Sequence, residues 1–171
     1  PIWLTSLSDE AEIKKAIHAR LNGSASLKTV EAQFRKWMAN REMLANFARM
    51  EAAGAKVIYR SVDIRGTAEV QTTVDEIRQA HGPIRGIVHG AGVLADKRIE
   101  DKTAEQFAEV YSTKVAGLQA LLAATANDDL KIMALFSSYT GRYGRTGQVD
   151  YAVANEVLNK IAQVESRRRS T

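Results

Sequence analysis

Residues 84–92 read IRGIVHGAG, and this short, mostly apolar run ending in Gly-Ala-Gly decides the fold. A run of about four to eight apolar residues bounded by turn residues is typical of a buried strand. Residues 84–89 are therefore predicted to form a strand. Gly90, Ala91 and Gly92 would let the backbone approach a ligand closely, although such residues also serve in an ordinary turn.

Elements of alternating type extend outward from this strand in both directions. The predicted elements are a strand over 56–62, a helix over 67–80, a helix over 103–125 with a break near Lys114, a strand over 132–137 and a helix over 150–166. Strands that alternate with helices are typical of a parallel sheet covered on both faces. We therefore expect an α/β fold with a Rossmann-like, doubly wound parallel sheet.

The first 54 residues have a different pattern, with two helices that start near Ser8 and Ser26. A dinucleotide-binding fold ordinarily opens with a strand and a glycine-rich turn that receives the pyrophosphate. No such glycine cluster precedes residues 56–62, and no strand follows the last helix. We expect a helical insertion over 1–54 and a partial Rossmann-like catalytic domain over 55–171, truncated at both ends.

The composition excludes several classes of function. Hydrophobic residues are 45% and charged residues 26%, as in ordinary soluble globular proteins, and no apolar run approaches the roughly 18 residues that cross a membrane. We therefore expect a cytoplasmic protein. Cysteine is absent and the three histidines are scattered, so neither a disulfide nor a metal site is predicted. The basic residues are interleaved with acidic ones along the chain, so no nucleic-acid partner is predicted. The net charge of +4 still favours an anionic partner.

Side chains with acid–base chemistry follow the predicted strands. Ser138 follows a strand directly, and Tyr151 and Asn155 lie four residues apart near a helix start, on one face. A tyrosine can donate a proton to a ketone, and a nearby cation such as Lys114 would favour that donation. Each residue also has an ordinary reading: Ser138 can cap a turn, and Lys114 can extend past core residues to solvent.

The combination of motifs resembles one family. The motifs are VDIRG (62–66), GIVHGAGVLAD (86–96), TKVAG (113–117) and LFSSYTGRYGRTGQVDYAVANEVLN (135–159). They are similar to the catalytic subdomain of ketoreductases in modular polyketide synthases and polyunsaturated fatty-acid synthases, within the short-chain dehydrogenase/reductase superfamily. The successive intervals from Lys114 to Ser138, Tyr151 and Asn155 are 24, 13 and 4 residues, which match the family's spacing. Asn155 stands where ordinary members of the superfamily carry lysine, an exchange characteristic of polyketide ketoreductases.

This resemblance implies NADPH-dependent reduction of a 3-ketoacyl thioester bound to an acyl carrier protein, within a multidomain polyketide or fatty-acid synthase. It implies that Tyr151 is the general acid, that Ser138 holds the carbonyl oxygen, and that Lys114 binds the nicotinamide ribose and promotes proton release by the tyrosine. Asn155 would orient the lysine or a relay water. The implied cofactor-binding residues are Asp63 and Ile64 at the adenine, Gly90, Ala91 and Gly92 at the adenosine ribose, and Lys114 and Tyr151 at the nicotinamide.

The stereochemical class also follows from the resemblance. Leu94-Ala95-Asp96 resembles the leucine-aspartate-aspartate motif of reductases that form the 3R alcohol, with alanine in the middle position. Tyr143 lies where the opposite class has tryptophan. Two alternatives stay open: a catalytically incompetent or scaffold fragment of a multidomain synthase, since the glycine-rich turn is absent from this sequence, and a reductase of a free small-molecule ketone.

Overall fold

The computed structural model of the protein describes residues 3, 6–21 and 23–169. Its contacts divide the chain into two units, residues 1–59 and residues 60–171. The division falls inside the segment predicted as the first strand. The assignment of 1–54 as an insertion and 55–171 as the catalytic domain stays a prediction.

The N-terminal unit is a pair of helices, α1 (Glu10–Arg20) and α2 (Leu27–Ala52). Asp9 caps α1 by accepting the Glu12 N–H, and Ser26 caps α2 by accepting the Thr29 N–H. Both predicted helix starts are confirmed. The core of the unit consists of Ile13, Ile17 and Val30, with Trp3, Leu7, Leu21, Ala25, Phe34, Trp37 and Met38 packed around them.

The C-terminal unit alternates helices and strands, as predicted. Its elements are α3 (Thr67–His81), β1 (Gly86–His89), α4 (Ala104–Tyr111), a π-helical turn (Ser112–Ala116), α5 (Gly117–Ala124), β2 (Ile132–Leu135), α6 (Thr140–Tyr143) and α7 (Val149–Arg169). The helix predicted over 103–125 with a break near Lys114 is confirmed as α4, the π turn and α5. The short helix α6 was not predicted.

Strands β1 and β2 are neighbours and run parallel, in register from Gly86 opposite Ile132 to His89 opposite Leu135. A parallel pair joined by a helical crossover confirms the Rossmann-like α/β class. The carboxyl ends of both strands meet at one edge of the sheet. Residues 90–92 and 136–138 leave from that edge, which is where open α/β sheets place their ligands.

The predicted strand over 56–62 is wrong. These residues have no regular structure, and the sheet in the described part of the chain contains β1 and β2 only. A strand is stabilised by hydrogen bonds to a neighbouring strand, and residues 56–62 form no such ladder with either one. The apolar side chains of Ile58 and Val62 are 40% and 36% exposed, so they are not buried in a core as they would be in an inner strand.

Helices α3 and α5 pack on each other through a small apolar core. Val70 and Val74 on α3 meet Ala120 and Ala124 on α5, with Ile64, Ile84 and Leu121 around them. The Arg78 guanidinium fixes the contact by donating to Asp128 Oδ2 at 2.7 Å and to the Ala124 carbonyl at 2.8 Å. Within the ranges described above, no helix combines the length and apolarity that a membrane span requires.

Candidate active site

Lys114 lies in the π-helical turn and is only 4% exposed. Its Nζ donates to the Phe136 carbonyl at 3.0 Å and lies 5.3 Å from the centroid of the Tyr151 ring. π turns within helices are frequent at functional sites. Lys114 is therefore enclosed between the end of β2 and the start of α7, and the reading as a surface lysine is wrong.

The charge on Lys114 has little compensation in the described part of the chain. Burial lowers the pKa of Lys114 below its ordinary value of 10.5. Its one described hydrogen bond goes to a neutral carbonyl, that of Phe136. A buried ammonium in this condition would gain from a ligand that offers additional oxygen acceptors.

Tyr151 and Asn155 lie on successive turns of α7. Tyr151 is half-buried, whereas Asn155 is completely buried. Asn155 Nδ2 donates to the Tyr151 carbonyl at 2.7 Å, and Asn155 Oδ1 has no hydrogen-bond partner among the described residues. An unpaired buried acceptor is costly unless a water or a ligand completes it. The predicted spacing of four residues thus places an available acceptor one turn behind the tyrosine.

Ser138 lies in the loop between β2 and α6 and is half-buried. Its Oγ accepts the Thr140 N–H at 3.2 Å, as expected of a turn cap. A hydroxyl that accepts one bond keeps its own proton to donate. Ser138 follows Phe136, the partner of Lys114, by two residues. No hydrogen bond between the Ser138 and Tyr151 hydroxyls occurs among the described contacts.

The turn after β1 approaches Lys114 from another side. A Cβ added at Gly92 would lie 3.1 Å from Lys114 Cε, so only glycine fits there without displacing the lysine. His89, 2% exposed, has its Nε2 2.8 Å from the Lys114 carbonyl oxygen. Gly92, the last residue of the predicted turn, is thus adjacent to Lys114. The sequence places His89 at the end of the predicted strand, but no role in the site was predicted for it.

The predicted adenine-side residues are already engaged within the protein. Asp63 forms an exposed ion pair with Arg65, with Arg65 Nη2 2.6 Å from Asp63 Oδ2. The bonds from Arg65 lower the pKa of Asp63 to about 2. The Ile64 side chain packs against Gly117, where a Cβ would lie 2.9 Å from Ile64 Cγ2. No described hydrogen bond links Asp63 with Gly90, Ala91 or Gly92, so these two predicted groups are not joined directly.

A buried ion pair that the sequence did not reveal stands beside Tyr151. Lys102 Nζ lies 2.7 Å from Asp150 Oδ2, and the two side chains are 4% and 1% exposed. Asp150 Oδ1 accepts the Tyr151 N–H at 2.9 Å, and Lys102 also donates to the Ala95 carbonyl at 2.7 Å. From the sequence, Lys102 and Asp150 would each be expected on the solvent-exposed surface. Only the fold, which brings them together, shows that they form a pair.

A cleft of about 410 Å³ lies near the start of α7, and Lys97, one of the residues that line it, directly follows the segment Leu94–Asp96 in the chain. The residues that line the cleft are Lys97, Arg98, Ile99, Glu100, Arg145, Thr146, Gly147 and Val149. Asp96 Oδ2 accepts a bond from Gln148 Nε2 at 2.7 Å, and Leu94 is exposed. Tyr143 is 82% exposed, so its ring does not close the site in this structure.

Comparison with known proteins places these residues in a family context. The family model described as "KR domain" matches residues 23–171. The chain is 40% identical over 170 residues to a polyunsaturated fatty acid synthase protein of Thraustochytrium sp., a match that covers 94% of this chain and 6% of that protein. It is 35% identical over 118 residues to polyketide synthase PksN of Bacillus subtilis, covering 69% of this chain and 2% of that protein.

Solved structures agree with these matches. A ketoreductase domain from the bacillaene assembly line gives a TM-score of 0.71 at 32% identity, covering 75% of this chain and 31% of that one. An N-terminal ketoreductase from the macrolactin assembly line gives 0.70 at 33% identity, covering 75% and 26%. The chain therefore spans less than a third of each of these solved chains and a much smaller share of the curated relatives.

Proposed function

This chain belongs to the KR domain family, as a ketoreductase domain of the polyketide-synthase type in the short-chain dehydrogenase/reductase superfamily, and we propose that it reduces a carrier-bound 3-ketoacyl thioester with NADPH. The observation that carries the proposal is the buried Lys114 ammonium beside the Tyr151 ring. An ammonium at that position stabilises the phenolate that remains after the tyrosine gives up its proton.

The residues present fit the nicotinamide end of such a cofactor. Lys114 is a buried cation whose described hydrogen bond goes to a neutral carbonyl. Gly92 leaves room beside Lys114 that a larger residue would fill, and Asn155 Oδ1 is an available acceptor. When bound, NADPH would supply the hydride, which the protein itself cannot provide.

Each side chain then has one task in the reduction. Ser138 donates its hydroxyl proton in a hydrogen bond to the substrate carbonyl oxygen, where negative charge develops. Tyr151 transfers its phenolic proton to that oxygen, which completes the alcohol. Lys114 would donate hydrogen bonds to the ribose hydroxyls of the bound cofactor. Asn155 Oδ1 accepts from a water that returns a proton to Tyr151.

Substrate, partner and stereochemistry are part of the same proposal. The substrate is the 3-ketoacyl thioester of an acyl carrier protein that works with other domains of a synthase. Leu94-Ala95-Asp96 supports formation of the 3R alcohol, because it resembles the motif of reductases that form this product. Asp96 Oδ2 accepts a hydrogen bond from Gln148, which lies three residues before Tyr151.

The test is turnover by the full-length protein. With a 3-ketoacyl diketide on a carrier protein, we expect NADPH oxidation and the 3R alcohol as product. NADH should be a poorer donor, and a free cyclic ketone a poorer substrate. A higher kcat/KM for the free ketone would favour the small-molecule reductase instead. Absence of NADPH oxidation with every ketone would favour a scaffold role.

A further inference from the structure

The buried ion pair of Lys102 and Asp150 needs an explanation beyond stability. The side chains are 4% and 1% exposed, with 2.7 Å between Nζ and Oδ2. Taking two charges out of water is expensive, and apolar residues of similar volume often give a protein that is equally or more stable. A pair this deeply buried is therefore weak as a stabilising device and better suited to fixing geometry.

Both partners extend their bonds to segments that border the site. Asp150 Oδ1 accepts the backbone N–H of Tyr151, which is the proposed acid. Lys102 Nζ donates to the Ala95 carbonyl as well as to Asp150. Lys102 also lies just before α4, the helix that leads into the turn of Lys114. The pair thus ties together three segments, which carry Ala95, Lys114 and Tyr151.

Two further bonds join the same loops on either side of the pair. Gln148, which is 5% exposed, donates from Nε2 to Asp96 Oδ2 at 2.7 Å. The Lys97 N–H donates to the Gly147 carbonyl at 2.9 Å. Residues 95–97 are therefore held against residues 147–150 at successive points, and the ion pair is the most buried of these connections.

We propose that Lys102 and Asp150 are positioning residues that fix the first turn of α7 against residues 95–97 and thereby place the Tyr151 hydroxyl for proton transfer. This inference rests on the proposed function. Loss of the connection leaves the reacting groups present but shifts their distance, and a shift of about 1 Å can cost on the order of 10²-fold in rate. The loss falls on kcat, because no described hydrogen bond of either side chain goes to Lys114, the residue proposed to hold the nicotinamide ribose.

The test compares Lys102→Met, Asp150→Asn and the double variant in the full-length protein. Each single change leaves one buried charge unpaired, so both should lower Tm. The double variant removes both charges and should recover most of the Tm. In the double variant, the asparagine introduced by Asp150→Asn can still accept the Tyr151 N–H. Lys102→Met removes the donor to the Ala95 carbonyl, so the double variant lacks the connection to Ala95. We expect its kcat with a diketide thioester to stay about 10- to 100-fold below wild type, with the KM for NADPH nearly unchanged.

A matched control is Lys131→Met, which breaks an exposed ion pair with Asp129 at the same distance of 2.7 Å. It should leave both Tm and kcat near wild type. A double variant that recovers Tm and kcat together would overturn the proposal and leave the pair a purely structural role.

If the double variant does not fold, Lys102→Met alone, which removes the donor to Ala95, replaces it, with kcat corrected for the folded fraction. A kcat at least about tenfold below wild type supports the proposal, and a wild-type kcat overturns it. A wild-type protein that reduces no thioester would count against the proposed function itself. An active wild type with an equally active double variant counts against the positioning role alone.

Discussion

Three neighbours enclose the ammonium of Lys114. The Phe136 carbonyl accepts a hydrogen bond from Nζ, the Tyr151 ring centroid lies 5.3 Å from Nζ, and the absence of a side chain at Gly92 leaves space beside Cε. Burial lowers the pKa of Lys114, because the ammonium loses solvation that the Phe136 carbonyl replaces only in part. A ligand with hydroxyl oxygens would restore the lost solvation, which supports the proposal of a ribose at this position.

His89 makes the stability of the fold depend on pH. Its ring is buried against the Lys114 carbonyl, and burial lowers its pKa below 6.5. The unfolded chain therefore binds the proton more readily, and stability present above pH 6.5 is lost as the pH falls toward the folded pKa. The expected loss is up to about 1.4 kcal/mol per pH unit within that window.

Urea unfolding at about pH 7.5 and 5.5 measures this dependence. His89→Gln, which cannot titrate, should show a smaller fall in the free energy of unfolding than wild type. His81→Gln at an exposed position should keep the wild-type slope. Equal slopes for His89→Gln and wild type would contradict the assignment of the pH dependence to His89.

The elements that could be predicted from the sequence are those whose causes are local. Asp9 and Ser26 mark helix starts because a side-chain oxygen close in sequence satisfies the first free N–H groups. The break predicted near Lys114 corresponds to the π turn Ser112–Ala116. Residues 56–62 have the composition of a strand, but a strand also needs a neighbour, which local composition cannot supply.

Site residues divide in the same way. The motif spacing predicted Lys114, Ser138, Tyr151 and Asn155 as site residues. The structure brings Lys114 to the ring of Tyr151 and Asn155 to its backbone. Lys102 and Asp150 were missed because they lie 48 residues apart and nothing local distinguishes them from surface charges. Such a pair becomes visible only after the crossover from β1 to β2 has brought α4 beside α7.

The packing of α3 against α5 depends on one buried carboxylate. Asp128 is 3% exposed at its side chain and pairs with Arg78, and its Oδ1 also accepts the Ile84 N–H. Asp128→Ala should lower the free energy of unfolding by about 2 kcal/mol, because the Ile84 N–H and Arg78 Nε lose their acceptor while Arg78 keeps the Ala124 carbonyl. Urea or thermal unfolding would measure the change.

The adjacent residue is the matched control for this prediction. Asp129 also forms ion pairs, with Arg85 and Lys131, but its side chain is 61% exposed. Asp129→Ala should cost much less stability than Asp128→Ala, since exposed ion pairs contribute little. Equal losses for the two variants would show that burial of Asp128 is not what makes its pair important.

At the scale of the whole molecule, the C-terminal unit holds every residue of the proposed site. The chain spans 31% of the bacillaene ketoreductase domain and 6% of the Thraustochytrium synthase protein. Phosphate recognition and the docking of a carrier protein are therefore questions for the full-length protein. The chemistry at the keto group can be tested through this unit's own side chains.

The most direct test of the account is the turnover of Tyr151→Phe in the full-length protein. This change removes one hydroxyl, so Tm should stay near wild type, while NADPH-dependent reduction of a diketide thioester should fall at least about 10²-fold. Tyr139→Phe removes the same group from a side chain that is 67% exposed and should keep wild-type turnover. A Tyr151→Phe protein that reduced the thioester at the wild-type rate would contradict the assignment of Tyr151 as the acid.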